Sequence, residues 1–282
     1  MGVQSLDRAI GILTCLGQSG RQGMRLVDIQ RAVGLKRPTA HRLLSSLIQH
    51  GLVSCDEDSR TYRLGWETAL LGWSAARDGY DLREVAQASM ERLIRETGVT
   101  AVLCACSGNE HVCIDRKTGD YPIKVFTVEI GIRRPVGVGA GSIAVLASMP
   151  EEQAMAALAA VKSKLSGYSA KLRQGIIPAM RAARKSGYAV SDSFVLPNVR
   201  AAGVALRDKY GIAIGSLGLA AIADYATYQR LAEFAVLLKR EQARIERALR
   251  ERTAARPPTG QRFRRNERSV VWAPRKLQFI TH

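Results

Sequence analysis

The sequence has no long hydrophobic run and few cysteines. Its longest apolar stretch lies around residues 212–223, is broken by glycine, and is far shorter than the ~20 residues of a membrane-spanning helix. The five cysteines are an odd number and are too sparse for a disulfide-stabilised secreted domain. Asp7 and Arg8 interrupt any apolar secretory signal at the start. We therefore expect a cytoplasmic protein with no membrane contact.

Histidine is scarce as well, with four residues, at positions 41, 50, 111 and 282. Only His111 has candidate acid or nucleophile partners close in sequence, and local motifs yield no Ser/His/Asp arrangement. The glycine-rich segment 134–142 has neither a Gly-x-Gly-x-x-Gly dinucleotide context nor the Lys-Ser/Thr of a P-loop. These absences disfavour a small-molecule enzyme with an accessory helical domain. We predict no catalytic residue and no cofactor.

Positive charge is in excess. Lys and Arg total 42 against 25 Asp and Glu, which gives a formal charge of +17. Residues 255–282 hold seven of these basic residues with a single acid and little apolar periodicity, so we expect a basic, disordered tail. Such an excess of positive charge favours a polyanion as partner. Binding to nucleic acid in particular also requires basic side chains on a surface that can reach it.

Three helices and a hairpin are predicted within the first 66 residues. Apolar residues recur at helical spacing over residues 6–16 and 26–33. Gly34 can adopt the left-handed conformation that ends a helix, and Pro38 suits the first position of the next one. Two short β-like runs follow within residues 52–64. This order is that of a winged helix-turn-helix.

The third of these helices is amphipathic. Ala40 and four apolar residues after it recur at i, i+3, i+4, i+7 and i+8, which forms a stripe for burial. The opposite side carries cationic, imidazole and hydroxyl groups and no acid. Such a face suits the DNA major groove, where Arg contacts guanine and hydroxyl groups reach base or phosphate acceptors. The DNA contacts predicted for this helix and its start are Lys36, Arg37, Thr39, His41, Arg42, Ser45 and Ser46.

The hairpin would act as the wing. Arg60 and Arg63 are predicted to hold phosphates, contacts that set the register on DNA without specifying its sequence. Phosphate would repel the acidic tip at residues 56–58, so in a DNA complex this tip has to point away. The alternative is a helical satellite domain whose polar face is only solvated.

Several segments of the chain resemble the IclR family of bacterial transcriptional regulators. The similar segments are residues 5–13, 34–44, 62–65, 134–141, 146–147 and 184–188, and the resemblance spans about residues 5–250. It implies an N-terminal winged-helix DNA-binding domain, a connecting helix and a C-terminal GAF-like domain that binds a small organic effector. It also implies a double-stranded DNA operator as partner, and a homodimer or a dimer of dimers.

The resemblance also places an effector pocket, although three positions depart from the family pattern. Arg25 stands where Ser or Thr commonly caps the second helix, Ile143 where Lys is common, and Ala201 where many members have Cys. The last two changes bear on effector chemistry more than on the fold. A mostly apolar pocket with few polar anchors suits an aromatic or aliphatic body with one acidic end. The pocket residues implied are Ala140, Gly141, Ser142, Ser191, Asp192, Val199, Ala201 and Ser216.

A predicted hairpin over residues 99–116 carries Cys104, Cys106, His111 and Cys113. If residue 106 faces residue 111 across the turn, then 104 faces 113 and all four share one face of the sheet. Such a set could hold zinc or respond to oxidation, so a metal- or redox-sensing regulator is an alternative. Simple burial of cysteine in the sheet is favoured, because Cys-x-Cys is not the usual zinc spacing, and we assign no metal ligands.

The predicted fold class is α+β, with one mainly antiparallel sheet in the GAF-like effector domain. We divide the chain into a winged helix-turn-helix at residues 1–66, a connecting helix at 67–80, an effector-binding and oligomerisation domain at 81–252, and the basic tail at 253–282. Within the effector domain we expect strands at residues 121–128, 199–207 and 212–222, and helices at 151–164, 172–186 and 225–252.

Overall fold

The computed structural model describes residues 3–75 and 82–254. Residues 76–81 and the basic segment from residue 255 lie outside the described part of the chain. The predictions of a connecting helix to residue 80 and of a disordered tail therefore stay predictions. None of the described helices has the length and apolarity needed to cross a membrane.

The N-terminal unit is a winged helix-turn-helix, as predicted. Its elements are α1 Gln4–Gln18, β1 Met24–Arg25, α2 Leu26–Val33, α3 Arg37–Gln49, β2 Val53–Asp56 and β3 Thr61–Leu64, followed by α4 Trp66–Ala75. Gly34 ends α2 in the left-handed conformation, at φ +67°. Ile12, Ile29 and Leu44, one from each of the first three helices, are buried together. The two-residue β1, which the sequence did not indicate, pairs with β3 and makes the wing a three-stranded antiparallel sheet.

The C-terminal unit is built on one antiparallel sheet. Its elements are α5 Leu82–Thr97, β4 Thr100–Ser107, β5 Glu110–Thr118, β6 Arg133–Pro135, α6 Ala140–Ser148, α7 Glu151–Ala160, α8 Lys162–Leu165, α9 Ala170–Ser186, β7 Ala189–Asp192, β8 Val199–Arg207, β9 Ala213–Ile222 and α10 Tyr228–Ala254. The six strands lie in the order β6-β5-β4-β9-β8-β7. The α+β class with one antiparallel sheet is confirmed.

Helices cover both faces of this sheet. Apolar side chains of α5 and α10 pack on one face, and those of α6 and α9 pack on the other. α6 lies unusually close to the strands, because Gly203 of β8 faces its first turn. A Cβ on Gly203 would lie 2.6 Å from the backbone nitrogen of Gly141. Glycine at position 203 is therefore required to seat the start of α6 on the sheet.

Two predicted elements are wrong. Residues 121–128 form no strand, because their carbonyl groups bond to side chains and not to a neighbouring strand. The guanidinium of Arg134 donates to the carbonyl oxygen of Thr127, and that of Arg116 donates to Val128. Pro122 also lacks the N–H that a strand ladder needs. The helix predicted over residues 151–164 is broken at Val161, whose φ of −105° separates α7 from α8.

Candidate DNA-binding surface and effector cavity

The outward face of α3 is open and cationic. Ala40, Leu44 and Leu47 are buried, which turns the opposite side of the helix to solvent. Of the seven residues predicted to contact DNA from this helix and its start, six are exposed and Thr39 is half-buried. Among the described residues, no acidic side chain pairs with Lys36, Arg37 or Arg42. The positive charge of this face is therefore not neutralised within the described structure.

The start of α3 adds to this surface. The first turn carries no acidic residue, and the side chain of the N-cap residue, Lys36, accepts no hydrogen bond from the helix. The first N–H groups of a helix have no partner within the helix and carry partial positive charge. Such an end, beside Lys36 and Arg37, is suited to a phosphate group.

The wing presents its two arginines differently. Both side chains are exposed, but Arg60 stands in the turn with a φ of +52°, whereas the stem of Arg63 lies against Gly23. At the tip, a carboxylate oxygen of Asp56 accepts a hydrogen bond from the backbone N–H of Ser59 at 2.9 Å. This bond lowers the pKa of Asp56, so the tip keeps its negative charge.

A cavity lies between the sheet and the start of α6. The space inside it is about 710 Å³ when its opening to solvent is included. The walls are mostly apolar. Seven of the eight pocket residues that the sequence implied line this one cavity: Ala140, Gly141, Ser142, Ser191, Val199, Ala201 and Ser216.

Asp192 does not line the cavity. It belongs to β7, where successive side chains point to opposite faces, so Ser191 turns inward and Asp192 turns away. Its carboxylate pairs with Arg200 at 3.3 Å and accepts a hydrogen bond from the Tyr228 hydroxyl at 2.8 Å. Asp192 stabilises the outer end of the sheet, and its assignment to the pocket is corrected.

The cation of the cavity is Arg134, which the sequence did not place there. Burial lowers the pKa of its guanidinium, although the group remains charged at neutral pH. It donates to the carbonyl oxygen of Thr127, and no acid within the described residues pairs with it. In the sequence, Arg134 is only the first residue of the family-like segment 134–141, and no local pattern indicates that β6 directs its side chain into the cavity.

Sulfur and imidazole groups form another part of the wall. Cys104, His111 and Cys113 line the cavity, and the predicted register is confirmed, with Cys104 opposite Cys113 and Cys106 opposite His111. The Cys106 thiol lies 3.4 Å from Nε2 of His111. Burial lowers the pKa of His111 to about 4, so this imidazole is neutral at pH 7.

The zinc hypothesis gains no support from this geometry. Among the described residues, no group of three or more His, Cys, Asp or Glu side chains is arranged to hold a metal ion. A neutral His111 and a protonated Cys106, whose pKa burial raises to about 11, are the forms expected of core side chains.

Comparison with known proteins identifies both units. The IclR helix-turn-helix domain matches residues 5–57, and the bacterial transcriptional regulator IclR C-terminal domain matches residues 74–247. The HTH-type transcriptional regulator XynR of Escherichia coli (strain K12) is 26% identical over 248 residues, which are 88% of this chain and 97% of XynR.

Solved structures share the fold. An IclR transcriptional regulator from Alicyclobacillus acidocaldarius superposes with a TM-score of 0.71 at 23% identity, over 88% of this chain and 99% of that one. An IclR homolog from Microbacterium hydrocarbonoxydans, complexed with 4-hydroxybenzoate, gives a TM-score of 0.66 at 21% identity, over 87% of this chain and 98% of that one. The matched families are those of transcriptional regulators and not of enzymes. The chain belongs to the IclR family of bacterial transcriptional regulators and carries the DNA-binding helix-turn-helix of that family.

Proposed function

We propose that this regulator binds a specific operator through the outward face of α3, and that a small carboxylate in the cavity modulates that binding. The observation that carries the first half is the set of exposed cations on α3, for which the described residues supply no acidic partner. A helix that docks in the major groove needs one side buried against its own domain and the other side free to donate hydrogen bonds, and α3 has both.

The test of operator binding uses a double-stranded DNA fragment from upstream of the protein's own gene, with fluorescence anisotropy as the readout. If Arg42 holds a phosphate, Arg42→Ala should weaken binding to all sequences and reduce the salt slope by about one. If Arg42 contacts a base, discrimination at one position should fall by about 1–3 kcal/mol.

The matched control is Lys171→Ala, which removes the same charge from an exposed position on α9 in the other unit. Its affinity and salt slope should equal those of the unmodified protein. Unchanged binding by Arg42→Ala, or equal losses in the two variants, would show that α3 does not contact DNA through this face.

The second half of the proposal rests on Arg134. An apolar cavity lined by one half-buried cation favours a ligand that combines an apolar body with an anionic end. The 4-hydroxybenzoate bound by the Microbacterium homolog has this chemistry, but at that level of identity only the fold is shared. The preference for a carboxylate therefore follows from Arg134 and the apolar wall of this chain's own cavity.

Thermal denaturation in the presence of paired ligands tests the effector class. Benzoate, 4-hydroxybenzoate and short aliphatic carboxylates are compared with their uncharged amides. A carboxylate at about a hundred times its Kd should stabilise the protein by about 2.7 kcal/mol, and its amide should do so far less. Equal effects of acid and amide, or no effect across the panel, would contradict the proposal.

We also propose a homodimer, or a dimer of such dimers, acting in the cytoplasm where bacterial DNA lies. α4 exposes large apolar side chains, with Trp66 at 66% and Leu71 at 57% of their surface. Large apolar side chains exposed on one short helix commonly mark an interface between subunits. A dimer would present two copies of α3 to the two halves of a palindromic site.

A further inference from the structure

Cys104 and Cys113 occupy a position on the sheet that suits a disulfide. The N–H of Cys113 donates to the carbonyl of Ile132 at 3.1 Å, and its carbonyl accepts from the N–H of Gly131 at 2.8 Å. Both groups point away from β4, so Cys113 faces Cys104 at a site without ladder hydrogen bonds. In a regular antiparallel ladder, opposing Cα atoms at such sites lie about 4.5 Å apart, within the range of about 4.4–6.8 Å that a disulfide spans. The register shifts between Leu103 and Cys104, directly beside this pair.

The two thiols both line the cavity. The neighbouring thiol of Cys113, together with burial, raises the pKa of Cys104 well above its usual value. The thiol of Cys104 in turn lowers the pKa of Cys113 despite its burial, and the nearby guanidinium groups of Arg116 and Arg134 contribute. Cys113 is therefore the sulfur of this pair that ionises more readily.

We propose that Cys104 and Cys113 form an oxidisable thiol pair, which a peroxide that enters the effector cavity converts to a disulfide. Hydrogen peroxide is small enough to enter a cavity of this size. This modification site is independent of the proposed operator and carboxylate binding, since neither is needed for the reaction or for its detection.

The chemistry balances with peroxide as the oxidant. The Cys113 thiolate attacks one peroxide oxygen, an S–O bond forms, the O–O bond breaks, and the departing hydroxide takes up a proton as water. The thiol of Cys104 then attacks the sulfenic acid, the S–S bond forms, and hydroxide leaves with the Cys104 proton as a second water. Two thiols lose two electrons, and one peroxide is reduced to two molecules of water.

Cys106 is the internal control. It lies on the same strand as Cys104 but packs in the core beneath α6 and α9. Of the described cysteines, only Cys104 and Cys113 line the cavity. The raised pKa of Cys106, about 11 through burial, makes its thiolate scarce. A reaction specific to the cavity should therefore leave Cys106 as a thiol.

The test treats the full-length protein with a small excess of hydrogen peroxide and then labels free thiols with N-ethylmaleimide under denaturing conditions. We expect three of the five cysteines to be labelled, and all five after treatment with dithiothreitol. Cleavage after Arg116 leaves all three hairpin cysteines in one peptide, so a second cleavage after Glu110 is needed. Tandem mass spectrometry should then find the Cys113 fragment cross-linked to the fragment that carries both Cys104 and Cys106, with the N-ethylmaleimide label on Cys106 and the cross-link on Cys104.

Variants fix the roles of the two sulfurs. Cys106→Ser should form the same cross-link. Cys104→Ser cannot form it, and dimedone should instead trap a sulfenic acid on Cys113. Labelling of all five cysteines after peroxide, or a cross-link that involves Cys106, would overturn the proposal. The cross-link found in the wild-type protein tests the proposal even if a variant fails to fold.

Discussion

The half-buried guanidinium of Arg134 has no acidic partner among the described residues, and its hydrogen bond to a backbone carbonyl offsets only part of its desolvation cost. An anionic ligand would supply the missing charge. The neighbouring Arg133 shows the contrast, because it points to the other side of β6 and pairs with Glu110 at 2.8 Å. Because successive side chains of a strand point to opposite faces, one of these adjacent arginines lines the cavity and the other forms an ion pair.

Replacing Arg134 with Gln should weaken the binding of any carboxylate that stabilises the wild type by about ten- to a hundredfold. A hydrogen bond to a charged group contributes about 1.5–3 kcal/mol, and the amide of Gln keeps polarity without charge. Isothermal titration calorimetry measures the change. Arg133→Gln is the control and should bind normally, so equal affinities of the two variants would argue against Arg134 as the anchor.

His111 makes stability depend on pH. Its pKa is about 4 in the folded protein because of burial and about 6.5 in an unfolded chain. The unfolded state therefore binds more protons between these values, and stability falls as the pH drops from 6.5 to 4, by up to about 3 kcal/mol.

Urea denaturation across this pH range should show the decline in the wild type and a flatter profile in His111→Gln. The exposed His50 provides the control, and His50→Gln should follow the wild-type profile. A His111→Gln profile as steep as that of the wild type would mean that another group causes the decline.

At the level of elements, the contact between α6 and the sheet positions the cavity. Gly203→Ala would press a methyl group against the backbone of Gly141, and backbone cannot move aside as a flexible side chain can. We expect a loss of about 1–3 kcal/mol in the free energy of unfolding. Gly167→Ala, where the methyl would meet only a carbonyl oxygen at 3.8 Å, should change stability little. Chemical denaturation of the two variants compares these effects.

The elements that local signals specify were predicted well. α2 has the predicted bounds, and α3 begins within one residue of Pro38, because a left-handed glycine and a proline mark helix ends without help from distant residues. The segment 121–128 was mispredicted because its partners are the distant side chains of Arg116 and Arg134. The sequence predicted that the thiols of the hairpin cluster on one face of the sheet. It could not show that they line a cavity, because the cavity forms only where α6 packs against that face.

At the scale of the whole molecule, the apolar surface of α4 has to be covered for the proposed assembly. Leu71→Glu should shift the protein from dimer to monomer in light scattering and weaken operator binding, since a single α3 contacts only half of a palindromic site. Met155→Glu, at an exposed position of α7, should remain dimeric. A Leu71→Glu protein that stays dimeric would place the subunit interface elsewhere.

In the proposed complex, the outward face of α3 lies in the major groove of an operator. Dimethyl sulfate methylates guanine N7, which lies in that groove, so protection from methylation on the upstream DNA tests this placement directly. We expect two clusters of protected guanines about one helical turn apart, with protection lost in Arg42→Ala. The absence of any protected guanine on bound DNA, or the same pattern with Arg42→Ala, would contradict this placement of α3.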